Sequence, residues 1–134
     1  MIRALSHVAL RVTDLDRSLA FYTDVIGLKE AFRLTREDGR PWLVYVEVAP
    51  MQFIELFPGA EGPREELKNS GLVHICLEVE DIQAAARELQ SRGAEIVRGP
   101  SLGGDGSWQF WVRDPDGNQI EFHQFGAESR QVTG

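Results

Sequence analysis

Polar and apolar residues alternate through His7-Val8-Ala9-Leu10-Arg11-Val12, which predicts a β-strand with Val8, Leu10 and Val12 on one face and His7, Ala9 and Arg11 on the other. The period then changes. Leu15, Leu19, Tyr22 and Ile26 fall at helical spacing, preceded by Asp14-Leu15-Asp16 as a capping segment and followed by Gly27 as a stop. Three more strand patterns follow near residues 30–33, 42–48 and 52–57, so the first half of the chain reads β-α-β-β-β.

From Gly71 the same order restarts with His74-Ile75-Cys76-Leu77-Glu78-Val79, then an Ala-rich helix over 83–91 with Asp81 as its cap, then Gly93. His7 and His74, and likewise Asp14 and Asp81, are 67 residues apart, while Gly27 and Gly93, and Glu55 and Glu121, are 66 apart. A nearly constant offset across residues of different chemistry is the mark of a duplicated module. The predicted organisation is a first module over 1–57, a Pro/Gly/charge-rich linker over 58–70, a second module over 71–126 and a tail over 127–134, all within one domain. The tail, like the linker, has little to bury and is expected on the surface, without order of its own.

Strand parity then places candidate chemistry. His7 and His74 lie opposite the apolar residues that must pack on the helices, and so do Glu55 (against Ile54 and Leu56) and Glu121 (against Ile120 and Phe122). Two histidines and two glutamates thus occupy matched positions with matched parity. Carboxylates withdrawn from water need a partner, and one divalent cation would serve both. His7, Glu55, His74 and Glu121 are therefore the candidate metal ligands.

Composition narrows the function. A net charge of −7 with no Lys/Arg-rich stripe argues against nucleic acid as a partner, and no apolar run is long enough to span a bilayer. The lone Cys76 suits a reducing compartment, so the expectation is a cytoplasmic protein. A small buried thiol is its simplest role.

The stretches HVALRVTDLDRSLAFYTDVIGLK, FIELF, HICLEVEDI and VRDPDGNQIEFHQF resemble the vicinal oxygen chelate superfamily (glyoxalase/bleomycin resistance/dioxygenase), and within it most of all glyoxalase I, or lactoylglutathione lyase. The resemblance covers about residues 2–125. It implies an α+β fold in which two tandem βαβββ modules form a cup-shaped mixed sheet with helices outside. It also implies a homodimer and a small-molecule substrate with neighbouring oxygens. One divalent metal ion per site is implied, with Ni, Co or Zn favoured and Mn or Fe possible. The implied activity is lyase/isomerase chemistry by proton transfer next to a carbonyl, through a metal-bound enediolate. Glu121 is then the catalytic base as well as a ligand, with Glu55 its symmetric counterpart.

Glu55 fills the fourth ligand position that separates the glyoxalase I pattern from ring-cleaving dioxygenases of two histidines and one glutamate, and such a fuller set favours redox-neutral work. Extradiol-type dioxygenase, acyl-CoA epimerase and a non-enzymatic small-molecule-binding resistance protein are the alternatives in the same fold. Arg11 matches the family's substrate-side arginine, and His123, on the Glu121 face, is a second candidate for substrate binding. The Asn-Trp-Gly-like stretch and loop lysine that help hold glutathione in glyoxalase I have no counterpart at Pro58-Gly59-Ala60-Glu61 or in the loop 101–107. That loop, with Gly103, Gly104 and Gly106, is expected to be flexible. Trp108, Phe110 and Trp111 are expected in the core.

Overall fold

The computed structural model describes residues 1–61 and 71–134, and the chain divides into two compact units, Met1–Arg64 and Glu65–Gly134. In the first, β1 (His7–Val12) leads into helix α1 (Leu15–Ala20), followed by β2 (Lys29–Thr35), β3 (Pro41–Ala49) and β4 (Gln52–Pro58). The strands form one mixed sheet in the order β1-β4-β3-β2, with β1 parallel to β4 and the other pairs antiparallel. The second unit repeats this plan. Strand β5 (His74–Glu78), helix α2 (Ile82–Ser91) and strands β6 (Ile96–Leu102), β7 (Trp108–Arg113) and β8 (Gln119–Gln124) give a sheet in the order β5-β8-β7-β6. The α+β fold of two βαβββ modules expected from the repeat is the fold of the chain.

The strand-to-helix turns are built alike. Asp14 and Asp81 adopt nearly the same extended backbone (φ −135° and −133°), and each carboxylate accepts from the backbone N–H three residues on, Arg17 at 3.0 Å and Ala84 at 2.9 Å. Each satisfies one N–H that a helix start leaves without a partner. Gly27 and Gly93, at φ 90° and 98°, close the helical segments in the left-handed region.

One boundary differs from the sequence reading. The predicted single helix over 15–26 is α-helical only to Ala20, and a π-helical turn covers Phe21–Val25. The Thr23 hydroxyl donates to the Leu19 carbonyl at 2.9 Å, and the ladder widens to a five-residue step, Ile26 N–H to Phe21 C=O, also at 2.9 Å. A β-branched hydroxyl occupying a helix carbonyl is a local cause for such widening, which hydrophobic spacing does not report.

Strand parity holds in both sheets. In the first, Leu10, Val12, Val44, Val46, Ile54 and Leu56 are buried, with α1 packed on β4. In the second, α2 places Ile82, Ala86 and Leu89 on one stripe and packs on β6, β7 and β8, where Val112, Ile120 and the stacked pair Phe110–Phe122 (4.6 Å) are buried. Each such aliphatic side chain contributes about 1.5–3 kcal/mol relative to exposure, which makes the sheet rigid enough to hold chemistry on its other face. Trp108 departs from expectation: it is exposed, whereas Phe110 and Trp111 are buried.

Among the described residues, the start of the predicted linker and the tail differ from the sequence reading. The predicted linker 58–70 lies outside the described residues from 62 on, but its first residue, Pro58, ends β4 opposite Val12. The tail folds into a short helix α3 (Arg130–Thr133), and Ser129 before it is fully buried, its hydroxyl 2.6 Å from that of Ser107. The loop expected to be flexible is tied to this tail by a 2.8 Å bond from Arg130 N–H to Asp105 C=O. Small hydroxyl pairs give no hydrophobic signal, which is why neither contact was readable.

Candidate metal centre

In the first sheet, β1 and β4 run parallel with His7 opposite Phe53 and Ala9 opposite Glu55. His7 therefore reaches diagonally to the acid two positions along the neighbouring strand, and its Nε2 lies 3.3 Å from Glu55 Oε2. In the second sheet, His74 is opposite Gln119 and Cys76 opposite Glu121. His74 makes the same diagonal, with Nε2 3.0 Å from Glu121 Oε2. Sequence offset has become shared register. Both glutamates are buried at 5% exposure, while the histidines are partly open to solvent.

The next strand supplies different neighbours. Tyr45 stands opposite Glu55 and Trp111 opposite Glu121. The Tyr45 hydroxyl donates to the Glu55 carboxylate, and that bond, with burial and the negative charge, raises the phenol above its ordinary range. Trp111 packs edge-on to His74 (4.8 Å between ring centres, 79°) while Arg98 lies 4.7 Å over the indole. Among the described residues His74 Nδ1 has no hydrogen-bond partner, so this edge contact sets the ring orientation and leaves Nε2 turned to Glu121.

Around Glu121 the polar groups are denser. Its Oε1 lies 2.5 Å from His123 Nε2, and His123 Nδ1 is 3.1 Å from Gln131 Oε1. Cys76, exposed and not the buried thiol expected, stands beside the same carboxylate. Ligand atoms of Cys76, Glu121 and His123 all fall within 4.8 Å of one another. Partial burial and then the Glu121 charge push the Cys76 thiol up to about 12. The β7–β8 turn that aims Glu121 is organised by buried Asp114, whose carboxylate accepts from Asp116 N–H (3.0 Å), Asn118 N–H (2.8 Å) and the Asn118 side chain (2.8 Å). Arg11 is exposed on the His7 face of β1, its Nη1 3.3 Å from Pro58 C=O and its guanidinium 5.9 Å from the Phe57 ring centre.

The donor set suits a divalent ion. Nitrogen and oxygen ligands about 2.1 Å from one ion, at angles between octahedral and tetrahedral, stand roughly 3.0–3.4 Å apart. Both His–Glu pairs have that spacing, which equally suits an Nε2–H donating to the carboxylate when no ion is bound. In each unit the imidazole and carboxylate are borderline-to-hard donors of the kind that accept Ni, Co, Zn, Mn or Fe.

Residues 4–122 match the Glyoxalase/Bleomycin resistance protein/Dioxygenase superfamily. The chain belongs to this superfamily. It is 36% identical over 125 residues to a lactoylglutathione lyase of Neisseria meningitidis serogroup A, covering 90% of this chain and 89% of that protein. It is also 34% identical over 124 residues to a probable lactoylglutathione lyase of Synechocystis, covering 90% and 94%. A solved lactoylglutathione lyase from Agrobacterium tumefaciens superposes with a TM-score of 0.68 at 27% identity, over 90% of this chain and 92% of that one.

Within this glyoxalase superfamily frame, the sequence missed Tyr45 and Gln131 as neighbours of the two acids. Parity puts Cys76 on the His74 face, and the structure sets it opposite Glu121 in a parallel pair, exposed where a buried thiol was expected. Gln131 had no such signal, because only the folded-back tail brings it in. His123 was expected to be available to a substrate. Both of its ring nitrogens are instead engaged within the second unit.

Proposed function

We propose that this protein is a divalent-metal-dependent lyase/isomerase of the glyoxalase I type, acting on a small molecule with two neighbouring oxygens. The observation that carries the reading is the repeated His–Glu diagonal, His7–Glu55 and His74–Glu121, in the same register in both units. Relatives named lactoylglutathione lyase support the reaction class. In this reading the four side chains are ligands of one ion. A bound divalent ion supplies Lewis-acid polarisation of substrate oxygens without any net redox change.

The chain's own groups do the rest. Glu121 takes the proton from the carbon beside the carbonyl. The C–H electron pair forms a carbon–carbon double bond as the carbonyl oxygen takes the charge. The proton of the hydroxyl on the first carbon passes to that oxygen, the first carbon becomes the new carbonyl, and the proton held by Glu121 returns to the former carbonyl carbon, so atoms and electrons balance within an isomerisation. Glu55 differs in its neighbour across the sheet, Tyr45, where Glu121 has Trp111. Arg11 supplies a cationic group for an anionic part of the substrate.

The test is a metal-reconstituted activity screen with methylglyoxal plus several thiols, acyl-CoA epimer pairs and catechols. Isomerisation with exchange of the substrate's α-proton is expected, and Glu121→Gln should lower it by about 10²–10⁴-fold. Dioxygen consumption with catechols, or unchanged proton exchange in Glu121→Gln, would overturn the assignment.

A further inference from the structure

We propose that His123 is a positioning residue for Glu121, itself held by Gln131 of the C-terminal helix. Its effect on metal binding rests on the metal-ligand reading above; its grip on Glu121 rests on geometry alone.

Strand β8 puts Glu121 and His123 two residues apart on one face, and His123 is 6% exposed. The position equivalent to His123 in the first sheet is Phe57, since Arg11 pairs with Phe57 as Glu78 pairs with His123. Each matched glutamate has one imidazole on the diagonal, and among the described residues only Glu121 has a second, that of His123. His123 Nε2 occupies Glu121 Oε1 at 2.5 Å, which leaves Oε2 as the oxygen turned to His74 at 3.0 Å. A carboxylate with one oxygen tied in this way is steered toward single-oxygen ligation and cannot swing about its χ angles.

The imidazole needs its own support. Gln131 Oε1 stands 3.1 Å from Nδ1, and the Phe125 ring packs edge-on at 5.7 Å and 84°. An amide both accepts and donates, so Gln131 suits Nδ1 in either tautomer. The helix that carries it is fixed by the Ser129–Ser107 hydroxyl pair, by Arg130 N–H on Asp105 C=O, and by close approach at Gly106. There, at φ +83°, an added Cβ would meet the Glu128 carbonyl oxygen at 2.8 Å. The tail thus functions as a strap that reaches the candidate centre through one glutamine.

The competing account is that His123 merely fills space, and two substitutions separate these. His123→Phe copies Phe57 and keeps a buried aromatic ring; His123→Gln keeps an N–H donor but packs less well. In the metal-free protein, imidazole ¹H–¹⁵N NMR should show a downfield Nε2-bound proton on His123. That signal should move upfield in Glu121→Gln, where a charge-assisted bond becomes neutral, and the Nδ1 signal should move in Gln131→Leu. With Ni or Co titrated against a competing chelator, His123→Phe should weaken affinity by about 10–100-fold and His123→Gln should recover most of the loss. Thermal unfolding should rank the two variants the other way. An Nε2 signal absent or indifferent to Glu121→Gln, or affinity better kept by Phe than by Gln, would overturn the proposal. Should the unaltered protein bind no ion, the metal-ligand reading alone fails, and the NMR arm still decides the role of His123.

Discussion

The Tyr45 hydroxyl donates to the carboxylate of Glu55, the residue directly across the β3–β4 ladder, and through that bond the phenol is held protonated above its usual range. The proton-binding form is favoured in the folded state. The resulting stabilisation is complete below the unfolded phenol pKa of about 10 and is lost as pH rises through the folded value. In the metal-free protein with Tyr22→Phe as background, absorbance titration of Tyr45 should therefore have its midpoint above 10. Glu55→Gln should bring it back down, and a midpoint indifferent to Glu55 would remove this contact from the account.

Cys76 has the same sign of shift with a different leading cause, partial burial, followed by the charge of Glu121. With the thiol at about 12 against an ordinary 8.5 or so, the thiolate at pH 8 should be scarcer by about 10³-fold. Alkylation by iodoacetamide, measured by mass spectrometry, should be slower than in the unfolded chain by about that factor. Glu121→Gln should accelerate it.

Strand parity and the repeat made the two His–Glu pairs legible, because a period of two fixes which face each residue shares and a nearly constant offset matches the positions. The same rules gave the Asp14 and Asp81 caps, whose chemistry is local. What they could not give was anything set by chain reversal over unpatterned sequence. Gln131 reaches His123 only because Ser129 is buried against Ser107, and the turn after Ala20 widens only because the Thr23 hydroxyl takes the Leu19 carbonyl. Neither follows from the spacing of apolar residues.

The tail contact has a cost that unfolding can read. Ser129→Ala leaves the Ser107 hydroxyl buried without its 2.6 Å partner, a loss of about 1–3 kcal/mol. Urea denaturation should show a lower midpoint with an unchanged slope. A variant as stable as the parent would mean that the hydroxyl finds another partner.

Equilibrium dialysis against Ni, Co or Zn followed by elemental analysis decides whether the two His–Glu pairs ligate one divalent ion, as we propose. The expected result is about one ion per two pairs, with His7→Ala and His74→Ala each abolishing stoichiometric binding while the protein stays folded. An unaltered protein that binds no stoichiometric ion, or one whose binding survives both substitutions, would contradict it.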